Sequence, residues 1–163
     1  MKKVILFFVL LVIGCNENKL EAQNFGILIH GGAGTILKKN MTSEKDSEYR
    51  LLLSQSIKVG YEILKSGGTS QKAVEESIRI LENSPLFNAG KGAVLTSNGT
   101  IELDASFMNG KNLDAGSVSG VRTVKNPISA AIKVMEESPH VMLSGSGADN
   151  FALEKGLEIV KSE

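Results

Sequence analysis

The stretch VLTSNGTIELDASFMNG, residues 94–110, decides how the rest of the chain is read. Asn98-Gly99 is a strong hairpin signal, because both residues tolerate the positive φ that a tight turn demands. Two short runs, Val94–Ser97 and Thr100–Ser106, flank it and read as strands. Asn109-Gly110 marks the next turn. Ala115–Val121, small and β-branched, reads as a third strand of the same meander. Adjacent hairpin strands predict an antiparallel sheet, and the helical segments around it must then cover one face. The fold class read from the residues is α+β.

Upstream, Phe25–His30 is a short apolar run ending at Gly31-Gly32-Ala33-Gly34, a buried strand entering a glycine loop. Ser43 with Asp46 three residues on reads as a capping box that opens a helix. Tyr49, Leu53, Ile57, Gly60 and Leu64 recur at spacings of three and four along it, and Gly67-Gly68 stops it. Thr69 or Ser70 caps a second helix with Ala73, Val74, Ile78 and Leu81 on its inner face. Asn83-Ser84-Pro85 ends that helix, since proline cannot continue it.

Downstream, Asn126-Pro127 is a cap followed by proline at the first helical position. Ile128, Ala131, Ile132 and Met135 carry the helical repeat to about Glu137, and Ser138-Pro139 stops it. His140–Leu143 reads as another short strand, and a last helix is expected over Asp149–Lys155. The predicted order is β-α-α-β-β-β-α-β-α, with no internal repeat and no low-complexity tract.

The chain has 163 residues, a length that allows about one domain. Lysine plus arginine is 18 and aspartate plus glutamate is 18, so the balanced charge gives no electrostatic reason to bind nucleic acid. One cysteine makes no internal disulfide, and no Cys/His cluster spells a zinc site. Hydrophobic content of 42% with 22% charged residues argues against wholesale disorder.

The first residues read as an address. Met1-Lys2-Lys3 is basic and Val4–Ile13 is an unbroken apolar run. That run is about half the ~20 residues a spanning helix needs, so it reads as a signal-peptide core. Val12-Ile13-Gly14-Cys15 follows and resembles the lipobox of bacterial lipoproteins, with Cys15 as the lipidation site. Two acyl chains, at about 0.8 kcal/mol per buried CH₂, give stable anchoring. The competing reading is a plain secretory signal that happens to contain a cysteine. The expected divisions are a lipoprotein signal peptide at residues 1–14, a polar tether at 15–24 and the folded part at 25–163. The expected location is the bacterial periplasm or cell envelope, on a lipid membrane.

Three segments could carry chemistry. The first is His30-Gly31-Gly32-Ala33-Gly34-Thr35, whose backbone N–H groups can approach a phosphate or an oxyanion. Neither phosphate-loop pattern is present, and the oxyanion-loop reading of α/β-hydrolases needs a G-x-S-x-G elbow that no five-residue window supplies. The bland alternative is a tight turn in which glycine only relieves steric strain. The second is Pro85-Leu86-Phe87-Asn88-Ala89-Gly90-Lys91-Gly92, an ordered loop whose carbonyls could wrap a cation and whose Asn88 amide both donates and accepts. Its alternative is a surface connection. The third is Glu102-Leu103-Asp104-Ala105, where two carboxylates on one strand face suggest acid–base work or, as the commoner case, a hydrogen-bonded surface. His30 and His140 do not form a metal pair by spacing.

Taken together, the glycine loop, the Pro85–Gly92 segment, Glu102–Ser106, Asn126-Pro127 and Glu137–Leu143 resemble the isoaspartyl peptidase/plant-type L-asparaginase family. Gly145-Ser146-Gly147-Ala148-Asp149 looks like its next segment, and the resemblance runs from about Phe25 to the end of the chain. It implies an N-terminal-nucleophile hydrolase with an αββα sandwich, of which this chain holds a partial one without the C-terminal β-subunit. In that family a precursor cuts itself before a threonine. The freed α-amino group then acts as base for the threonine hydroxyl, which attacks asparagine or the β-aspartyl bond of an isoaspartyl dipeptide. N–H donors must meet the oxyanion that forms.

The family's nucleophile sits in a Gly-Thr followed by a Val-Gly-Ala-Val strand. Gly34-Thr35, Gly68-Thr69 and Gly99-Thr100 are each followed by something else, so no catalytic nucleophile is expected in these residues. The resemblance implies a supporting role for Asn88, Gly31 and Gly32 near the reacting centre. It also implies a structural sodium ion held by the carbonyls of Leu81, Glu82, Ser84, Phe87, Ala89 and Lys91. The substrate-gripping residues would belong to the missing β-subunit segment, and the complete enzyme would be a dimer of αβ units. Asn109 stands where the family often shows Asp. Two expectations follow: the chain alone hydrolyses nothing, and its sheet exposes an apolar face. The alternative from another class is an inactive, truncated, lipid-anchored binding or scaffold module.

Overall fold

The computed structural model describes residues 24–33, 39 and 41–161. The expected signal peptide, Cys15, most of the expected tether, Gly34 and Thr35 lie outside the described residues. Among the described residues, four α-helices and a three-stranded sheet follow in the order α1 (Ser43–Lys65), α2 (Ser70–Glu82), β1 (Leu103–Met108), β2 (Ala115–Val121), α3 (Pro127–Glu137), β3 (Met142–Ser144) and α4 (Gly145–Glu154).

Helix α1 starts one residue earlier than its capping pattern suggests. Thr42 is extended, with φ −75° and ψ 160°, and its hydroxyl accepts the Lys45 N–H at 3.2 Å. Ser43 is therefore already helical, and Asp46 pairs one turn on with Arg50 at 2.6 Å. Gly67 ends the helix at φ +82°, a conformation glycine adopts without a Cβ penalty. The Gly67 N–H reaches the Leu64 carbonyl at 3.0 Å and the Gly68 N–H reaches Ile63 at 2.8 Å, the paired bonds of a Schellman stop. Thr69 caps α2 through the Lys72 N–H.

Small residues four apart let α1 and α2 touch. Ser56 and Gly60 share one face of α1, and Ala73 and Ser77 share one face of α2; all four are buried. The Ser56 hydroxyl donates to the Ser77 carbonyl at 2.8 Å, and the Ser77 hydroxyl donates back to the Ser56 carbonyl at 3.0 Å. A side chain at Gly60 would sit 2.4 Å from the Ser77 Oγ and 2.2 Å from the tip of Ile27.

The sheet is mixed, not antiparallel throughout. β1 and β2 are antiparallel, pairing Ser106 with Ser117 and Met108 with Ala115. β3 lies parallel to β2, pairing Val118 with Leu143, because α3 intervenes and returns the chain in the same direction. The predicted Val94–Ser97 arm joins no ladder among the described residues. Thr96 and Thr100 close a three-residue turn, with the Thr96 N–H on the Thr100 carbonyl at 2.8 Å and Gly99 at φ +73°. Val94 and Leu95 are 65% and 64% exposed, and the second run enters the ladder only at Leu103. Residues 24–33 form no strand among the described residues, and the buried strand expected over Phe25–His30 is absent there: none of these residues is buried, and Leu28 is 93% exposed.

The register slips opposite Asp104, where β2 carries an extra residue. Gly120 takes φ +61° there, and Asp104 Oδ1 accepts the Gly120 N–H at 2.8 Å and the Ser119 hydroxyl at 2.7 Å. A bulge of this kind needs a glycine and a partner for the displaced N–H.

The core lies on one side of the sheet. Val118, Val121 and Val124 pack against Ala130 and Val134 of α3 and Ala148 and Ala152 of α4. On the opposite face Asp104, Ser106 and Met108 are exposed beside the half-buried Ser117 and Ser119, and no described element covers them. That face is mostly small and polar, with Met108 and Met142 as its large apolar residues, not the apolar face expected. Helix α4 begins at Gly145, four residues before the predicted start, which places Asp149 one turn inside it. Its carboxylate accepts the Arg122 N–H, the Thr123 N–H at 2.9 Å and the Thr123 hydroxyl at 2.8 Å, tying α4 to the end of β2.

Candidate functional site

The two loops singled out by their glycines meet across α1. Gly31 packs so closely that a Cβ would lie 2.9 Å from Leu53 Cδ2 and 3.5 Å from Phe87 Cε1. Gly32 takes φ +114°, and its N–H reaches His30 Nδ1 at 3.3 Å. Phe87 is buried, and the Tyr49 ring stands edge-on to it with centroids 5.5 Å apart. The Tyr49 hydroxyl donates to the Leu86 carbonyl at 2.8 Å, and Ser84 Oγ accepts the Leu86 N–H at 3.1 Å. A hollow of about 250 Å³ lies between Gly31, Gly32, Tyr49, Leu53 and Phe87.

Asn88 follows Phe87 directly and is exposed. Its Oδ1 accepts the Val94 N–H at 3.0 Å, which fixes the amide plane. The two Nδ2 donors then have no acceptor among the described residues and remain for a ligand or a reacting group.

The carbonyl-rich coil from Leu81 to Lys91 is wound tightly on glycines. A Cβ at Gly90 would lie 2.3 Å from the Glu82 carbonyl oxygen, and one at Gly92 would lie 2.2 Å from that of Phe87. The Phe87 and Ala89 carbonyls each accept one turn N–H, from Ala89 and Gly92, while the Leu81 carbonyl accepts those of both Asn83 and Ser84. A carbonyl has two lone pairs, so those of Phe87 and Ala89 each retain one. Among the described residues no cluster of His, Cys, Asp or Glu would hold a metal.

Glu82 is the unusual ionisable group. It is 4% exposed, and burial pushes its carboxyl up to about 7. The Ile128 N–H and the Asn126 amide, both at 3.0 Å, oppose that rise. Asn126 makes no side-chain cap of its own, so Glu82 from the end of α2 takes over the first turn of α3. The paired-carboxylate idea resolves into structure. Asp104 is held below the usual carboxylate range by the Ser119 hydroxyl and the Gly120 N–H, both of the bulge. Glu102 lies ahead of the strand, within 3.5 Å of Thr100 Oγ1.

The larger hollow, about 560 Å³, lies behind the coil and is bounded by Glu82, Gly90, Lys91, Leu103 and Val124. It contains neither Asn88 nor the Gly31 loop. Two contributors escaped the sequence reading. Tyr49 figured only in a helical stripe, where its ring was legible and its hydroxyl was not. The carboxyl of Glu82 sits at a helix end, where acidic side chains are ordinarily solvated.

Residues 23–163 match the family model described as Asparaginase. The isoaspartyl peptidase of Escherichia coli is 47% identical over 137 residues, covering 84% of this chain and 43% of that protein. The isoaspartyl peptidase/L-asparaginase of Xenopus laevis is 44% identical over 84% of this chain and 43% of its own length. The plant-type L-asparaginase of Pyrococcus furiosus is 49% identical over 77% of this chain and 40% of its own. The chain thus spans about two-fifths of the length of the curated relatives it matches.

Proposed function

The chain belongs to the asparaginase family, and on that premise we propose that it is the first part of a threonine amidohydrolase acting on L-asparagine, β-aspartyl dipeptides or both. Its own residues build the support of the reacting centre; the nucleophile and the groups that grip the substrate come from the second part. Asn88 offers its Nδ2 donors to the nucleophile or the carbonyl it attacks, with Val94 holding the amide in place. Gly31 and Gly32 leave room for backbone N–H groups to approach the developing oxyanion. The uncovered face with Asp104, Ser106, Ser117 and Ser119 seats the second sheet of an αββα sandwich. The 24–33 segment pairs with strands of that second part.

The coil carbonyls of Leu81, Glu82, Ser84, Phe87, Ala89 and Lys91 hold a sodium ion, which when bound stiffens the loop that carries Asn88. Residues 1–14 direct export, Cys15 takes the lipid, and residues 15–24 tether the domain to the bacterial envelope. Two αβ units pair in the complete enzyme.

The observation that supports this reading is the meeting of the Gly31-Gly32 loop and the Asn88 loop through Phe87, the two segments proposed to support the reacting centre. The test is co-expression of this chain with a family C-terminal part that begins at the Thr-Val-Gly strand. Ammonia release from asparagine, or free aspartate from a β-aspartyl dipeptide, is expected, with strong loss in Asn88→Ala. A folded complex that cleaves neither substrate would refute the assignment.

A further inference from the structure

We propose that Tyr49 is a positioning residue that couples the two loops of the reacting centre. The proposal builds on the assignment of Asn88 and Gly31-Gly32 to that centre. Tyr49 lies in the second turn of α1, a helix whose start is set by the Thr42 cap. Its hydroxyl donates to the Leu86 carbonyl at 2.8 Å, two residues before Asn88. Its ring edges onto Phe87 at 5.5 Å and 86°. Phe87 in turn lies where a Cβ on Gly31 would be 3.5 Å from its Cε1.

One rigid side chain on a capped helix therefore touches the backbone before Asn88 and the ring that borders Gly31. A polar hydroxyl at this half-buried position is otherwise unnecessary: phenylalanine would fill the same space without a donor to satisfy. The hydroxyl fixes where Phe87 sits, and Phe87 fixes the distance between the loops. Catalytic groups misplaced by a fraction of an ångström lose rate without losing substrate affinity.

The experiment uses Tyr49→Phe, which removes only the hydroxyl, and Tyr49→Leu, which removes the ring as well. Tyr61→Phe, at the tyrosine stacked on Phe25, serves as control. In the 163-residue chain, backbone amide NMR signals of Leu86–Asn88 and of Gly31-Gly32 are expected to shift together in both Tyr49 variants and to stay in place in the Tyr61→Phe control. In the assembled enzyme kcat is expected to fall roughly threefold to tenfold in Tyr49→Phe, the worth of one hydrogen bond, with KM unchanged. Movement of the Leu86–Asn88 signals without Gly31-Gly32 in Tyr49→Leu would overturn the coupling, as would a rise in KM at constant kcat. If the assembled wild-type protein hydrolyses nothing while both loops still respond, the activity assignment falls and the coupling stands.

Discussion

Replacing Gly116 by alanine lifts α3 off the sheet. Gly116 lies in β2 against the middle and last turns of that helix, where a Cβ would sit 2.1 Å from the Ala131 carbonyl oxygen, 2.5 Å from the Met135 nitrogen and 2.8 Å from Met135 Cβ. Ordinary contact needs about 3.5 Å, so the helix must retreat by roughly 1 Å at the crossing. Two of the three obstructing atoms are main chain and cannot rotate aside, which places the cost at the upper end of the ~1–3 kcal/mol seen for overpacked cores. Alanine recovers about 0.5–1 kcal/mol of chain entropy. The net expectation is a loss of about 2 kcal/mol, or roughly 4–8 °C in Tm for a chain of this size. The internal control is Gly147→Ala in α4, where nothing lies within 4 Å. There the helix gains up to about 1 kcal/mol. Urea unfolding of both variants reads the difference directly, with the midpoint moving and the slope constant. Equal midpoints, or a stabilised Gly116→Ala, would refute the packing of α3 on β2.

Four further outcomes are expected. Ser56→Ala removes the buried hydroxyl bond to the Ser77 carbonyl while the bond from the Ser77 hydroxyl to the main-chain carbonyl of residue 56 remains, so the α1–α2 pair loses about 1 kcal/mol by denaturant midpoint. Glu82 has its folded pKa raised from 4.5 to about 7, so the fold is most stable below 4.5 and weakens as pH rises through about 7. The ceiling is about 3 kcal/mol; Arg79 and Glu75 are the charged groups beside it. Glu82→Gln keeps an acceptor for the Ile128 N–H and flattens that slope in melts across this range. Asp104 shows the opposite sign: its folded pKa is lowered from 3.8, so its stabilisation is present above 3.8 and fades as pH falls below it. Exposure keeps that term small, and Asp104→Asn removes it from acid-titration melts. Asn88→Ala leaves the melting temperature nearly unchanged, because the residue is exposed, while exposing the Val94 N–H to faster hydrogen exchange.

Local signals were legible where chemistry at one position decided the outcome. Pro127 after Asn126 located α3, whose observed span is Pro127–Glu137, and the small β-branched run located β2 at Ala115–Val121. Gly67-Gly68 stopped α1 as read. What failed depended on distant partners. Asn98-Gly99 does turn the chain, but whether Val94–Ser97 joins a ladder depends on a neighbouring strand, not on the turn. The parallel pairing of β3 depends on where α3 returns the chain. Ser43 lost its capping role because Thr42, one residue earlier, accepts the Lys45 N–H. The sheet's uncovered face was expected to be apolar, but the alternation Asp104, Ser106, Met108 puts two polar residues there. For the site, Asn88 and the glycines were named from motif order. The tie between their loops was hidden, because it runs through the Tyr49 hydroxyl and the face of Phe87, which no spacing rule connects.

The most direct measurement is ammonia release from asparagine by the purified 163-residue chain, with and without the family's threonine-bearing second part. The account predicts no release by the chain alone and turnover by the pair. Sustained hydrolysis by the chain alone would contradict it, because it would mean that these residues hold a nucleophile of their own.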